Sequence, residues 1–201
     1  MQTLPPIATF ATAIEQIASV GHAAWQRDLL CGLSGNISIR LDEDTILITA
    51  SGTAKGFLRP EDLSLISRTG DVIMGTKKPS SELGLHLAIY DSCSDCMAIL
   101  HSHPTRLQAL ELKKSALVFD SVRLFEAEFW LKRLLVVPAI APGSPLLGKE
   151  CAHSLAANTP LPLGIWLSGH GLCAIGMTLH DCLACSEELE HLAQVSLLAE
   201  A

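Results

Sequence analysis

The chain has 201 residues, of which 49% are hydrophobic, 4% aromatic and 17% charged, and its formal net charge at pH 7 is −7. The high apolar and low charged fractions exclude intrinsic disorder and fibrous architectures, and they predict a single compact domain over residues 1–201. The 14 Lys and Arg against 21 Asp and Glu form no basic cluster for a run of phosphates, which argues against general nucleic-acid binding.

Two segments bear on where the protein works. The first 20 residues contain Glu15 and no positively charged stretch ahead of an apolar core, so no signal peptide is predicted. Residues 151–180 carry no Asp, Glu, Lys or Arg, but prolines and glycines interrupt them and no membrane-spanning helix fits. We therefore expect a cytoplasmic protein with no membrane segment.

Hydrophobic periodicity predicts helices and strands in an order typical of a layered domain. Apolar residues at steps of three and four predict a first helix over residues 7–29, and Pro5-Pro6 marks its start. The pattern then predicts hairpin strands at 36–41, 45–49, 63–67 and 72–74, a helix at 79–91, a strand at 97–102, helices at 104–112 and 121–133, a strand at 134–137, a helix at 145–157, strands at 163–168 and 172–176, and a capped helix from Thr178 to Leu198. Antiparallel hairpins mixed with helices indicate an α+β or layered α/β/α domain.

Seven cysteines are present, enough in number for a metal site. Cys93-x-x-Cys96 and Cys182-x-x-Cys185 have the form of two zinc half-sites, but they lie much farther apart than the ~15–20 residues of a zinc ribbon. Cys182 and Cys185 would share one face of a helix, where free cysteine packs well. We therefore predict reduced cysteines that mostly fill the core.

Histidines give a sharper signal. His101 and His103 are two residues apart on a predicted strand, so their imidazoles point to the same face. His170 lies between Gly169 and Gly171 just after an apolar strand, in a turn that allows close approach to a ligand. Three histidines with an open fourth position are typical of catalytic zinc. The alternative is that His101 and His103 are two half-buried strand residues.

Three polar loops can supply hydrogen-bond donors to an anion. Ser80-Ser81-Glu82 lies at a predicted helix start, where backbone N–H groups are unpaired, and Ser34-Gly35-Asn36 and residues 50–56 flank the first two strands. Helix capping and ordinary turn chemistry are the alternatives for each loop alone. A histidine trio, a carboxylate and three such loops in one chain favour a binding site.

The motifs, in chain order, resemble those of the class II aldolase/adducin family, and within it the fuculose-1-phosphate aldolases. They are Ser-Gly-Asn-Ile-Ser at 34–38, Ile-Thr-Ala-Ser-Gly at 48–52, Pro-Ser-Ser-Glu at 79–82, His-Ser-His at 101–103, Pro-Gly-Ser at 142–144 and Gly-His-Gly at 169–171. The resemblance implies a three-layer α/β/α fold around a mainly antiparallel sheet, assembled as a homotetramer with sites near subunit interfaces. It implies a divalent metal, usually zinc, on His101, His103 and His170, and Glu82 as the catalytic carboxylate. The phosphate-binding positions that it implies are Asn36, Ser51, Gly52, Ser80 and Ser81.

The function that the resemblance implies is metal-dependent cleavage of a phosphorylated ketose to dihydroxyacetone phosphate and an aldehyde. A dehydratase acting on a substrate such as methylthioribulose-1-phosphate, a pentulose-phosphate 4-epimerase and a non-catalytic adducin-like interaction domain are the alternatives. Glu82 favours the aldolases, because the epimerases that this chain resembles have an aspartate at that position.

Two roles stay open in the sequence. Fuculose-1-phosphate aldolases also use tyrosines, whereas this chain has only Tyr90, inside a predicted helix. The catalytic acid is therefore left unassigned, since Tyr90, Glu126 and Glu128 are only weakly placed for that role. Lys55, which resembles a residue of the dehydratases, either adds a positive charge to the phosphate site or is a solvated loop lysine.

Overall fold

The structure is a computed structural model that describes residues 7–117, 119, 124–155 and 160–199. Its helices are α1 (Ile7–Gln26), α2 (Leu83–Ser92), α3 (Thr105–Lys114), α4 (Phe125–Leu131), α5 (Pro145–Ser154) and α6 (Leu179–Ala199). Its strands are β1 (Asn36–Arg40), β2 (Thr45–Thr49), β3 (Leu63–Ser67), β4 (Val72–Met74), β5 (Ala98–Ser102), β6 (Leu134–Val137), β7 (Leu163–Leu167) and β8 (Gly171–Gly176). No helix in these ranges is long and apolar enough to cross a membrane.

The eight strands form one sheet in the order β4-β3-β2-β1-β5-β8-β7-β6. Every neighbouring pair is antiparallel except β6 with β7, which is parallel. The central strands are buried on both faces, which explains their nearly continuous apolar sequences.

Helices cover both faces of the sheet. Alternation along β5 sends Leu100 to the face covered by α1, α3, α4 and α6, and Ile99 to the face covered by α2 and α5. Burial of a side chain of this size stabilises the fold by about 1.5–3 kcal/mol. The predicted three-layer α/β/α fold around a mainly antiparallel sheet is confirmed.

Element boundaries differ from the prediction at two helices, α1 and α2. Helix α1 ends at Gln26 and not at residue 29, because Asp28 adopts a left-handed conformation (φ 58°) and Leu29 N–H donates to Ala24 O, as in a Schellman cap. Helix α2 begins at Leu83 and not at residue 79. The segment before it pairs with the strand β2, since Ser80 N–H donates to Thr49 O.

The other predicted elements lie within two residues of the observed ones wherever both ends are described. The predicted capping box before α6 is present, with reciprocal hydrogen bonds between Thr178 and Asp181. The beginning of the helix predicted at 121–133, the end of the one predicted at 145–157 and the start signal Pro5-Pro6 lie outside the described residues.

Candidate metal centre and active site

A cavity of about 240 Å³ lies where the end of β5, the start of β1, the start of α2 and the turn between β7 and β8 meet. The sequence-predicted residues that line it are Asn36, Ser51, Gly52, Ser80, Ser81, Glu82, His103 and His170, joined by Lys55. His101 is fully buried and contacts both histidines at the cavity floor. The structure thus gathers every residue of the predicted site in one place.

The three histidines converge through the same ring nitrogen. His101 Nε2 lies 3.1 Å from His103 Nε2 and 3.3 Å from His170 Nε2. For a metal with N ligands at about 2.0–2.1 Å in tetrahedral geometry, neighbouring ligand atoms are about 3.3–3.4 Å apart. These two distances match that geometry, and the ligand atoms of all three histidines lie within 4.8 Å of one another, so the trio could hold a divalent metal.

Protonation states also suit ligands. His101 Nδ1–H donates to Leu172 O at 3.2 Å, so its Nε2 presents a lone pair to the cavity. Burial, and then the neighbouring histidines, hold the pKa of His101 well below its ordinary value. Burial, with His170 and Lys55, lowers the pKa of His103 to about 4. Both rings are neutral at neutral pH, as metal coordination requires.

Close backbone approach makes this convergence possible. A Cβ added to Gly171 would lie 2.5 Å from Ser102 O and 2.8 Å from His103 Cδ2, so no side chain fits there. Gly35 has φ +73°, and a Cβ there would lie 2.5 Å from His101 O. These two glycines let the loops lie directly against the end of β5, next to His101 and His103.

Glu82, which immediately precedes helix α2, brings a carboxylate to the histidines. Its Oε2 lies 3.2 Å from His101 Nε2 and its Oε1 3.5 Å from His170 Nε2. The side chain is buried; Oε2 accepts a hydrogen bond from Asn36 Nδ2 at 2.8 Å, while Oε1 has no hydrogen-bond partner. A buried carboxylate oxygen with no donor, beside imidazole lone pairs, is suited to a bound cation or to the proton of a substrate.

The hydrogen bonds of Glu82 extend through Asn36 to two residues that were not predicted as part of the site, His86 and Ser38. Glu82, His86 and Tyr90 are four residues apart along α2, and Asn36 and Ser38 are two residues apart on β1. These side chains alternate in one buried line, in which His86 bonds both Asn36 and Ser38, and Ser38 also bonds Tyr90. The spacings Glu-x-x-x-His-x-x-x-Tyr and Asn-x-Ser are the sequence signals that could have revealed it.

Lys55 also lines the cavity. Its Nζ donates to Leu33 O at 2.7 Å and to Thr53 O at 2.9 Å. Burial lowers its pKa to about 8, and the Glu82 carboxylate acts in the opposite direction. Lys55 is therefore no solvated loop lysine: it is a buried cation held between two of the polar loops that line the cavity.

The turn that carries His170 is held from α3. Glu111 accepts hydrogen bonds from Trp166 Nε1 and Gly169 N, each at 2.9 Å, and Gln108 Nε2 donates to His170 O at 2.9 Å. Glu111 bonds the turn and not a histidine side chain. It would therefore affect a bound metal only by holding the turn, and with it His170, in place.

Replacing Glu111 with alanine is expected to weaken metal binding by about 10–100-fold, the usual cost of losing a group that orients a ligand. Isothermal titration of the metal-free protein measures it. Glu126→Ala, on the exposed surface of α4, is the control and should leave the affinity unchanged. A Glu111→Ala protein that binds metal as tightly as the wild type would show that Glu111 has no part in placing His170.

The candidates for a catalytic acid lie elsewhere. Tyr90 does not line the cavity: its buried hydroxyl bonds Ser38, and burial raises its pKa well above the ordinary value. Glu128 is exposed on α4 and pairs with Lys132, and Glu126 is exposed beside it. Among the described residues, neither glutamate reaches the cavity.

The cysteines do not compete for a metal. Within the described ranges, the group of side chains placed to hold an ion is His101, His103 and His170. Burial raises the pKa of Cys96 and of Cys185 to about 12, so both stay thiols. Cys96, Cys182 and Cys185 belong to the hydrophobic cores, as predicted.

Comparison with known proteins agrees with this geometry. Residues 15–197 match the family model for the class II aldolase and adducin N-terminal domain. The chain is 31% identical to a 3-oxo-tetronate 4-phosphate decarboxylase of Haemophilus influenzae, over 90% of this chain and 85% of the relative. It is 30% identical to a methylthioribulose-1-phosphate dehydratase of Marinobacter nauticus, over 95% of each chain.

A solved structure, the L-fuculose-1-phosphate aldolase of Thermus thermophilus, superposes with a TM-score of 0.79 and 26% identity, over 94% of this chain and 95% of that one. These relatives are enzymes of several activities on one fold. The protein belongs to the class II aldolase and adducin family.

Proposed function

We propose that the protein is a metal-dependent aldolase that cleaves a phosphorylated ketose to dihydroxyacetone phosphate and an aldehyde. The observation that carries the proposal is the position of Glu82, whose two carboxylate oxygens lie 3.2 and 3.5 Å from imidazole nitrogens in a cavity that is also lined by hydroxyls and a lysine. A potential metal centre, a proton carrier and an anion-binding region therefore share one small space.

The metal is the first part of the proposal. His101, His103 and His170 would hold it, and zinc is the metal that best suits three neutral imidazoles with an open position. When bound, it would supply Lewis-acid polarisation of the carbonyl and hydroxyl oxygens beside the bond that breaks.

Glu82 is the proton carrier of the proposal. In aldol cleavage, the hydroxyl on the carbon that becomes the aldehyde gives its proton to the Glu82 carboxylate, and the carbon–carbon bond breaks. The electron pair of that bond moves to the carbon beside the ketone and onto the ketone oxygen. That carbon then takes up a proton to give dihydroxyacetone phosphate, and Glu82 is placed to deliver it.

The phosphate would bind at the loop side of the cavity. Ser51, Gly52, Ser80 and Ser81 line that side with hydroxyl and backbone donors, and the Lys55 ammonium lies between the loops. Asn36 lines the cavity too, but its amide already bonds Glu82 and His86. Binding energy from the phosphate would orient the reacting carbons at the metal and Glu82.

A panel of phosphorylated ketoses, incubated with zinc-loaded protein, tests the proposal through release of dihydroxyacetone phosphate. Water loss or epimerisation in place of cleavage would contradict aldolase activity and favour the dehydratase or epimerase alternative. A protein that binds no metal and converts none of the panel would fit a non-catalytic interaction domain.

Decarboxylation of a 3-oxo sugar-acid phosphate is the second candidate, and one observation favours it. Among the described cavity-lining residues, Glu82 is the single carboxylate, and no tyrosine is present. When CO₂ leaves such an acid, the electron pair remains on the carbon next to the oxo group, so one proton must be delivered and none removed. One carboxylate suffices for that reaction. Release of CO₂ from a 3-oxo-tetronate 4-phosphate, the substrate named for the Haemophilus relative, distinguishes the two candidates.

Replacing Lys55 with methionine is expected to raise KM for the phosphorylated substrate by about 10–100-fold with a smaller change in kcat, because a charge-assisted hydrogen bond to a remote phosphate is lost. In the wild type, inorganic phosphate should bind more weakly as pH rises through about 8, where Lys55 loses its proton. Glu82 and His103 are the titratable groups that interact with it.

Lys78→Met, an exposed lysine on a neighbouring segment, removes the same charge without touching the cavity and is the matched control. Equal effects of the two substitutions would assign them to net charge and not to a phosphate contact at Lys55.

A homotetramer, a cytoplasmic location and a single domain over residues 1–201 complete the proposal. Light scattering with size-exclusion chromatography measures the first, and a dimer or monomer at working concentration would contradict it.

A further inference from the structure

We propose that His86 is a positioning residue for Glu82, acting through the amide of Asn36 in a one-way chain of hydrogen bonds that begins at Tyr90. The inference rests on the proposed role of Glu82, and it assigns a task to three buried polar residues, His86, Ser38 and Tyr90, that do not line the cavity.

Starting from Glu82, each hydrogen bond determines which atom donates in the next one. An ionised carboxylate only accepts, so Asn36 must turn Nδ2 toward Glu82 Oε2, at 2.8 Å. Its Oδ1 then faces His86 Nε2, which must carry the ring proton in order to donate. His86 Nδ1 is therefore the acceptor for the Ser38 hydroxyl at 2.7 Å, and Ser38 Oγ accepts from the Tyr90 hydroxyl at 2.8 Å.

The direction of these hydrogen bonds indicates what they do for Glu82. Every donor points toward Glu82, so the bonds polarise one another in the sense that stabilises a negative carboxylate. Without a fixed ring, the Asn36 amide could rotate and present Oδ1 to the carboxylate, which would repel it. His86 thus selects the amide orientation that holds Glu82 at the cavity.

The far end of the chain cannot easily reverse. Burial raises the pKa of Tyr90 well above its ordinary value, although the Arg40 guanidinium over its ring, 4.8 Å from the centroid, acts in the opposite direction. Burial also lowers the pKa of the fully buried His86 to about 3. The phenol stays protonated and the imidazole stays neutral throughout the range in which such an enzyme would work.

Three variants on α2 test the inference. His86→Leu removes both hydrogen bonds, and His86→Gln keeps a donor for Asn36. Ile89→Val, at a fully buried apolar position of the same helix, is a control for lost packing. We expect His86→Leu to lower kcat at least about tenfold at unchanged metal content and KM. His86→Gln should recover a large part of kcat, and Ile89→Val should keep all of it.

A His86→Leu protein with kcat within twofold of the wild type, or one whose activity falls only in proportion to its metal, would overturn the inference. The inference would also be overturned if kcat fell equally in His86→Leu, His86→Gln and Ile89→Val. If His86→Leu does not fold, Tyr90→Phe tests the far end of the chain and should give a smaller decrease in kcat.

A second measurement needs no substrate. Long-range proton–nitrogen NMR correlation should find His86 as the Nε2–H tautomer, unchanged from pH 5 to 8 in metal-free and metal-loaded protein. The Nδ1–H tautomer, or titration of this ring near its ordinary pKa, would contradict the chain. Because this result does not depend on the reaction, failure of the aldolase proposal and failure of this inference are separable.

Discussion

Replacing Glu82 with glutamine is expected to lower turnover by about 10²–10⁴-fold, the range in which a positioned acid or base contributes. Glutamine keeps the shape of the side chain and accepts one hydrogen bond, but it neither takes up nor delivers a proton. The metal content should stay at the wild-type value, because the three imidazoles remain. Steady-state kinetics beside elemental analysis of the same preparation make the test.

Glu43→Gln, in the exposed turn between β1 and β2, is the control for loss of one negative charge. A Glu82→Gln protein that is fully active would remove Glu82 from the mechanism. One that loses its metal as well as its activity would make Glu82 part of the metal site instead.

His103→Ala should reduce bound zinc from about one per chain to well below that, with an affinity loss larger than the roughly 10–100-fold of an orienting residue. His103 Nε2 lies 3.1 Å from His101 Nε2, so its removal opens one side of the converging trio. The remaining two imidazoles leave too few protein ligands for a stable catalytic site. Elemental analysis after extensive dialysis measures the content.

His153→Ala, an exposed position in α5, removes a histidine without touching the cavity and should keep the full metal content. Unchanged metal in the His103→Ala protein would contradict the assignment of His103 as a ligand. Loss in both variants would indicate adventitious binding to surface histidines.

The motifs, through the family that they resemble, predicted which residues the structure brings together at the cavity. His101 and His103 follow the two-residue strand repeat, and Gly171 shows why His170 can approach them. The order of the strands was not predictable, since β1 pairs with β5 across a long stretch of intervening chain. The alternation of apolar residues indicated an α+β or layered α/β/α domain, and the family resemblance implied the three layers around a mainly antiparallel sheet.

His86 and Ser38 were not predicted from the sequence, and the reason is physical. Each is unremarkable in its own element, and their relation appears only when the α2 stripe of Glu82, His86 and Tyr90 lies over the β1 face. The predicted start of α2, at residue 79, was wrong for a similar reason. Ser80 has the properties of a helix cap, but its pairing with β2, which lies far away in the chain, overrides that local preference.

The cross-strand pairing of Asn36 with His101 has a consequence for how this family can diversify. Directly opposed residues of antiparallel strands share a face, so a slip of one residue would turn the whole of either strand's face away from α2. The positions of Asn36 and His101 are thus fixed by the register of the sheet, whereas Lys55 and the serines belong to loops and turns that can change length and sequence. If the proposed function holds, we expect new substrates to be acquired through changes in those loops while Asn36 and His101 keep their places.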